Sequence, residues 1–243
     1  MVRVLAVSDV VEDSLWASPH SARGAELIVA CGDLPFEYLG RLMNALDAPL
    51  VFVPGNHDPD VSGYSTSRAG LTLRAGIPVR PPWPSGAVSA DGAVVDVAGL
   101  RLAGLGGCRR YSEGPNQYTD RQQARRARAL AARAVLRRGR VDVLLTHAPP
   151  RGAGDDPGDP PHWGFTALNT LVARLRPALL LHGHVDPDPR RGREHRLGRT
   201  IVRNVTGWQL LTVEPGTGAV GDWPVPPGPS PADPPNPREH RAR

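Results

Sequence analysis

The sequence predicts an α/β fold in which layered β-sheets are flanked by helices. Short apolar runs recur along the 243 residues, and each run stops at a cluster of polar residues. Segments whose apolar residues recur at helical spacing lie between several runs, and two hairpin-like pairs of runs occur after residue 90. Short, nearly continuous apolar runs are typical of strands buried on both faces. Their alternation with helices favours stacked layers of sheet and helix.

Five of the apolar runs are predicted to be the central strands. They are VRVLAV (2–7), ELIVAC (26–31), PLVFV (49–53), VDVLL (141–145) and PALLL (177–181). The residues that follow them are, in the same order, Ser8-Asp9, Gly32-Asp33, Pro54-Gly55-Asn56-His57-Asp58, Thr146-His147 and His182-Gly183-His184. Ligands of open α/β sheets bind in the crevice outside the carboxyl ends of the strands. We therefore expect these polar loops to meet at one edge of the fold.

The other predicted elements are three helices and two hairpins. The helices cover about residues 36–47, 119–138 and 164–176. The hairpins pair AVVDVAG (93–99) with LRLAGLGG (100–107), and GRTIVRNV (198–205) with WQLLTVEP (208–215). Thr119 or Asp120 is expected to cap the start of the second helix, and Gly139 its end.

The chain is expected to form one domain, residues 1–215, followed by a disordered proline-rich tail, residues 216–243. The length suits a single large α/β domain, and 40% hydrophobic residues are typical of a globular protein. The tail is too rich in proline and charge to pack. No run of about 18 apolar residues occurs, and the N-terminal segment has no apolar core with a cleavage site. We therefore expect a cytoplasmic protein without membrane contact.

All 29 basic residues are arginine, and they give a formal net charge of +5. Many of these arginines fall in the predicted helix 119–138, whose apolar residues Ala127, Leu130 and Ala134 recur at helical spacing. This pattern predicts an amphipathic helix with a solvated basic face. Contact of that face with nucleic acid is the alternative, although no recognition motif accompanies it. Two cysteines are too few for a disulfide framework, and Cys31 is expected to be buried.

The loops after the strands contain four motifs that carry chemistry. They are Asp9-Val10-Val11, Gly32-Asp33, Gly55-Asn56-His57-Asp58 and Gly183-His184-Val185-Asp186, with His147 before the last. In order and spacing the chain resembles the calcineurin-like metallophosphoesterases, whose pattern is D-x-H, G-D, G-N-H-D/E, a lone His and G-H-x-H. The stretches CGDLPFEYL, THAPPRG and GLGGCRRYSEGPNQY resemble a bacterial branch of the family. The resemblance covers residues 1 to about 210.

The resemblance implies a four-layer α/β/β/α sandwich of two mixed β-sheets flanked by helices. It also implies a metal-dependent hydrolase of phosphate mono- or diesters, a phosphatase or phosphodiesterase, that works by in-line attack of a metal-bound hydroxide. Asp33 would bridge two divalent cations, and Asn56, His147 and His184 would complete the second site. One or two ions per chain are expected, with manganese favoured and iron, zinc, magnesium or cobalt compatible. The substrate would be a small phosphate ester, and the oligomeric state is left open.

The resemblance assigns His57 a place beside the leaving group, where it would hydrogen-bond a phosphate oxygen or donate a proton. Asp58 would orient that imidazole, as carboxylates commonly do. Further candidates for the pocket are Arg109 and Arg110, as phosphate ligands, and the stretch 116–118. His182 is expected to point away from the site and pack in the sheet, and His162 is expected to be an ordinary loop residue.

The chain departs from the family pattern at the first metal site. Val11 and Asp186 stand where the family has histidine, which leaves Asp9, Asp33 and Asp186 as candidate ligands. A shell of oxygen donors favours the harder cations Mg²⁺ and Mn²⁺. Two alternatives stay open at this stage. The chain could be a degenerate member that binds a metal or ligand without turnover, or Asp9 and Asp33 could be turn formers after strands.

Overall fold

Two six-stranded β-sheets pack face to face at the centre of the fold. The computed structural model describes residues 1–67, 71–190 and 192–223. Strands β1 to β17 are, in chain order, Val2–Ser8, Leu27–Ala30, Leu50–Phe52, Tyr64–Thr66, Thr72–Arg74, Ile77–Pro78, Val88–Ser89, Val94–Val97, Leu100–Leu105, Cys108–Arg109, Gln117–Tyr118, Val143–Thr146, Leu179–His182, Glu194–Leu197, Thr200–Asn204, Gly207–Val213 and Val220–Asp222. Helices α1 to α4 are Asp13–Ala17, Phe36–Leu46, Asp120–Leu136 and Thr166–Leu175, and 3-10 turns cover Pro19–Ala22 and Pro160–His162.

Both sheets are mixed: the second has a parallel centre with an antiparallel strand at each edge, whereas the first is antiparallel at the edge formed by β16 and β17 and parallel up to its other edge, β7. The first sheet has the order β17-β16-β1-β2-β3-β7, in which β1, β2 and β3 run parallel to one another. The second has the order β14-β15-β13-β12-β9-β8, in which β9, β12, β13 and β15 run parallel. The five predicted central strands are confirmed as β1, β2, β3, β12 and β13. Within each sheet, parallel strands bring their carboxyl ends to one edge.

Helices cover the outer face of each sheet, so the predicted four-layer α/β/β/α architecture is confirmed. Strand β1 shows the alternation, since Val4 and Ala6 lie in the core between the sheets, whereas Leu5 and Val7 pack in the core with residues of α1 and α2. On the second sheet, Leu180 packs with residues of α3 and α4. Full burial of a valine or leucine side chain contributes about 1.5–3 kcal/mol, which makes these three apolar layers the main source of stability.

One predicted hairpin is confirmed and the other is wrong. Strands β8 and β9 pair antiparallel, with Val95 opposite Leu102, as predicted. Strands β15 and β16 lie in different sheets, because β15 pairs with β13 and β14 while β16 pairs with β1 and β17. The chain crosses between the sheets at Val205, which is buried in the core that the sheets share, and turns at Gly207, whose φ is +82°. A short connection of this kind has the same sequence pattern as a hairpin turn.

The arginine-rich helix α3 forms where it was predicted, but its basic face is not wholly solvated. Thr119 caps it in a capping box, in which its hydroxyl accepts a hydrogen bond from the Gln122 backbone N–H while the Gln122 side chain accepts from the Thr119 N–H. Arg126 is half-buried and binds both carboxylate oxygens of Asp91, at 2.6 and 2.7 Å. The expectation of a solvated face is therefore wrong at Arg126, because the loop before β8 folds over that side chain.

The sheet continues past residue 215, the predicted end of the domain. Strand β17, Val220–Asp222, pairs with β16 and extends the first sheet by one strand. The rest of the predicted disordered tail, residues 224–243, lies outside the described residues. In the part of the chain that the structure describes, none of the helices combines the length and apolar character needed to cross a membrane.

Candidate metal centre

The five polar loops converge as predicted, and three of their residues have an unusual backbone. Asp9, Asp33 and His184 have φ values of 63°, 57° and 67°, in the left-handed region that residues with a side chain rarely adopt. Strained residues of this kind cluster at functional sites, where the surrounding structure holds them in place. Two glycines allow the close packing, since a Cβ on Gly55 would lie 2.0 Å from Asp33 Oδ1 and one on Gly183 would lie 2.1 Å from Asp9 Oδ2.

His147 is buried between the sheets and points one nitrogen at two oxygens. Its Nδ1 lies 2.7 Å from the carbonyl oxygen of Cys31, to which it can only donate. Its Nε2 lies 3.0 Å from Asn56 Oδ1 and 3.3 Å from Asp33 Oδ2. In the neutral ring Nε2 therefore carries a lone pair that faces two further acceptors. This arrangement needs a cation, either a proton or a metal ion, at the point where the three atoms meet.

His184 is fixed in the complementary way. Its Nε2 donates to the carbonyl oxygen of Pro161 at 3.0 Å, which leaves Nδ1 of the neutral ring free to bind. The ring lies 4.8 Å from that of His147, measured between centroids. Ligand atoms of Asp33, His147 and His184 all lie within 4.8 Å of one another. Metal-binding histidines typically donate their other N–H to a carbonyl or carboxylate, as both of these do.

The pKa shifts of His184, His147 and Asp33 indicate which of these groups carry charge. Burial and the neighbouring His147 lower the pKa of His184 to about 3, so its ring is neutral. Burial disfavours the charged form of His147 too, but the hydrogen bond and charge of Asp33 outweigh it and raise its pKa to about 9. Burial alone would raise the pKa of Asp33, yet the contacts with His147 lower it. A proton between this ring and carboxylate occupies the position that suits a divalent cation.

The residues predicted for the first metal site do not all lie at the cavity. Asp9 lines the cavity beside the metal-binding group, and both of its oxygens accept a hydrogen bond from the His184 backbone N–H at 3.0 Å. Burial raises the pKa of its carboxyl group. Asp186 is exposed and Val11 is 38% exposed, and neither lines this cavity. The structure therefore brings Asp9 to the site and leaves Asp186 outside it.

His57 and Asp58 take different places. The His57 side chain is exposed at the cavity, and its backbone N–H donates to Asp33 Oδ1 at 2.8 Å. Asp58 is buried, and its Oδ2 accepts hydrogen bonds from the backbone N–H groups of Asp33 and Gly55, at 2.9 and 2.7 Å. The predicted role of Asp58 in orienting the His57 ring is thus corrected, because this carboxylate holds two metal-site loops together.

The cavity at this site has a volume of about 540 Å³ and includes residues that sequence reasoning missed. Tyr111 and His162 both line it. The hydroxyl of Tyr111 accepts from Asn56 Nδ2 at 3.1 Å, which turns the amide oxygen of Asn56 towards His147. Tyr111 lies inside the stretch GLGGCRRYSEGPNQY that marked the family branch, so a signal existed. For His162 the sequence carries no signal beyond the position of this residue in the long loop after His147. The lining residues are Asp9, Asp33, Asn56, His57, Tyr111, Pro161, His162 and His184.

The weaker sequence candidates support the site from outside. Arg109 forms an ion pair with Asp120 at 3.0 Å and, like Arg110, does not line the cavity. Asn116 is buried, and its Nδ2 donates to the carbonyl oxygens of residues 55 and 58, at 2.8 and 3.1 Å. The stretch 116–118 therefore tethers the GNHD loop and does not line the cavity. His182 is buried in β13 with its Nδ1 3.0 Å from the carbonyl oxygen of residue 183, and burial lowers its pKa to about 4.

Comparison with known proteins shows the family and the fold of the chain. The calcineurin-like phosphoesterase family model matches residues 3–187 of the chain. The crystal structure of TT1561 from Thermus thermophilus is 15% identical, with a TM-score of 0.57 over 93% of this chain and 99% of its own. Another crystal structure, also 15% identical, gives a TM-score of 0.59 over 92% of this chain and 99% of its own. At such identities the likeness shows the fold alone. No curated protein matches the sequence.

Proposed function

Because the chain belongs to the calcineurin-like phosphoesterase family, we propose that it hydrolyses phosphate mono- or diesters with a divalent cation held by Asp33, Asn56, His147 and His184. One observation carries the proposal. The donor atoms of these four residues converge. The other ring nitrogen of each histidine donates to a backbone carbonyl oxygen, that of residue 31 for His147 and that of residue 161 for His184. Such a set of carboxylate, amide and imidazole donors suits manganese, iron, zinc or cobalt.

The chain's own residues position the substrate around this centre. A bound divalent cation would supply Lewis acidity at the phosphoryl oxygens and lower the pKa of water. His57 is exposed at the cavity and can hydrogen-bond a phosphate oxygen or the leaving group. Asp58 holds the backbone of Asp33 and Gly55, so it keeps the carboxylate and the GNHD loop at a fixed separation. A cavity of about 540 Å³ supports a small phosphate ester as the substrate.

For the first metal site we propose weak binding. Asp9 and the shared carboxylate of Asp33 are the protein ligands that the cavity offers there, because Asp186 is exposed. Two oxygen donors leave most coordination positions to water, which is compatible with Mn²⁺ or Mg²⁺. Turnover is then expected to rise with added Mn²⁺ and to saturate only at a high concentration, while the second site stays filled.

The proposal is tested by metal content together with turnover of a panel of phosphate monoesters and diesters. Asp33→Ala and His184→Ala each remove one ligand and are expected to weaken metal binding by more than the 10- to 100-fold that outer-shell changes typically cause. His20→Ala, at an exposed position of the turn Pro19–Ala22, is the matched control and should retain both metal and activity. Unchanged metal content in folded Asp33→Ala and His184→Ala proteins would contradict the assignment of the site.

A second candidate function is ligand binding without turnover. The observation that favours it is the exposure of positions 11 and 186, where the family has imidazoles and this chain has a valine and an exposed carboxylate that does not line the cavity. The two candidates differ in one measurement. A protein that binds one transition metal but hydrolyses no phosphate ester at any Mn²⁺ concentration would be a binding protein and not a hydrolase.

A further inference from the structure

A further imidazole, that of His162, lines the metal-site cavity and does not belong to the metal-binding group. His162 stands on the 3-10 turn Pro160–His162 and lines the cavity. Its Nδ1 lies 2.5 Å from Asp159 Oδ2. Its Nε2 has no hydrogen-bond partner within the described ranges, and the atom is not enclosed. The ring stands 4.9 Å from that of His184, measured between centroids, at an interplanar angle of 47°. One nitrogen is thus committed to a carboxylate and the other is left for a ligand.

The loop that carries His162 is built to hold it in place. Asp155 accepts hydrogen bonds from two backbone N–H groups of this loop, at 2.8 and 3.1 Å. The indole of Trp163, the next residue, is contacted by the guanidinium groups of Arg109 and Arg151, at 4.9 and 4.6 Å from the ring centroid. Pro161, the preceding residue, accepts the hydrogen bond from His184. The position of the His162 ring is therefore fixed relative to a residue of the metal centre.

We propose that His162 contacts the substrate, with its Nε2 sharing a hydrogen bond with an oxygen of the phosphate group, and that Asp159 is its positioning residue. A carboxylate behind an imidazole fixes the orientation of the ring and the nitrogen that faces outward. The proton of the shared hydrogen bond can come from the ring or from the phosphate. The inference rests on the proposed function, because it takes a phosphate group at this centre as the ligand.

The geometry favours this role over that of a metal ligand. Zn–N bonds are about 2.1 Å long, so two nitrogens on one ion are at most about 4.2 Å apart. The ligand atoms of Asp33, His147 and His184 all lie within 4.8 Å of one another. In the described part of the chain, His162 belongs to no such group of three ligand residues. His162 thus lies outside the metal-binding group but lines the same cavity.

Equilibrium binding of inorganic phosphate to the Mn²⁺-loaded full chain tests the inference, measured by calorimetry together with manganese content. His162→Phe keeps the ring shape but has no hydrogen-bonding nitrogen, so it is expected to weaken phosphate binding about tenfold, which corresponds to 1.4 kcal/mol, as loss of a hydrogen bond to a charged group predicts. Manganese content should stay unchanged. Asp159→Ala should weaken phosphate binding as well, whereas Asp159→Asn keeps an acceptor for the ring and should restore most of it.

His20→Phe is the matched control, because it makes the same change at an exposed histidine outside the cavity. Phosphate binding equal to wild type in both His162→Phe and Asp159→Ala would overturn the inference, as would a wild-type protein that binds no phosphate. Loss of manganese in His162→Phe would overturn it too, by making this residue a metal ligand. If phosphate binding falls as expected but no ester is hydrolysed, the hydrolase proposal fails and the inference stands.

Discussion

Replacing Arg126 by glutamine tests whether the arginine helix is anchored or merely solvated. The guanidinium makes a bidentate pair with Asp91, and it also donates to the carbonyl oxygen of Gly106 at 3.0 Å. It lies 3.9 Å from the centroid of the Tyr118 ring as well. The side chains of the ion pair are 21% and 16% exposed, so solvent screens their attraction only in part. Glutamine cannot reach all of these partners, and the carboxylate of Asp91 would remain half-buried without its cation.

The expected loss of stability is about 2–3 kcal/mol, below the 3–5 kcal/mol for breaking a fully buried pair. For a domain of this size it corresponds to a fall in Tm of roughly 4–12 °C. Urea denaturation gives the free energy of unfolding directly. Arg125→Gln is the matched control, because the side chain of Arg125 is exposed and makes no ion pair within the described residues. The free energy of unfolding is expected to change by less than about 0.5 kcal/mol in this variant. Equal losses in the two variants would refute the reasoning.

Two further predictions concern the loops of the metal centre. Asn116→Ala removes the amide that ties the GNHD loop to the stretch 116–118, and it is expected to lower the free energy of unfolding by about 2–3 kcal/mol because buried carbonyl groups lose their donor. Urea denaturation measures this loss, and the control Asn44→Ala, at an exposed position, should show little change. An equal effect in both variants would contradict the assignment. Restoring the family pattern with Val11→His and Asp186→His is expected to raise the manganese content towards two ions per chain at low Mn²⁺. Unchanged manganese content in the folded double mutant would show that side chains at positions 11 and 186 do not reach the first site.

The sequence predicted the parts of the fold that depend on local pattern and on strand order. The apolar runs indicated β1, β2, β3, β12 and β13, and the capping residues indicated the start of α3. It could not separate β15 and β16 into two sheets, since that choice depends on how Val205 packs between the sheets. Strand β14 was missed because its residues, EHRL, lack an apolar run.

For the candidate site, motif spacing found the residues that converge but not how they are oriented. Asp33, His147 and His184 were named from their motifs, and the structure groups them. The sequence carries no signal that Asp58 would accept from two backbone N–H groups instead of facing His57. His162 had no signal either, because only the folded path of the loop after β12 brings this residue to the cavity.

The left-handed backbone at Asp9, Asp33 and His184 has a free-energy cost, which the rest of the fold must offset. A left-handed conformation costs a residue with a side chain about 1–2 kcal/mol, and less for aspartate, whose short polar side chain tolerates it, against a total stability of about 5–15 kcal/mol for a typical domain. A cation that binds only the folded chain recovers this free energy by mass action. Metal supply would then affect the lifetime of the protein in a cell, because the metal-free chain unfolds more often and proteases cleave unfolded chains.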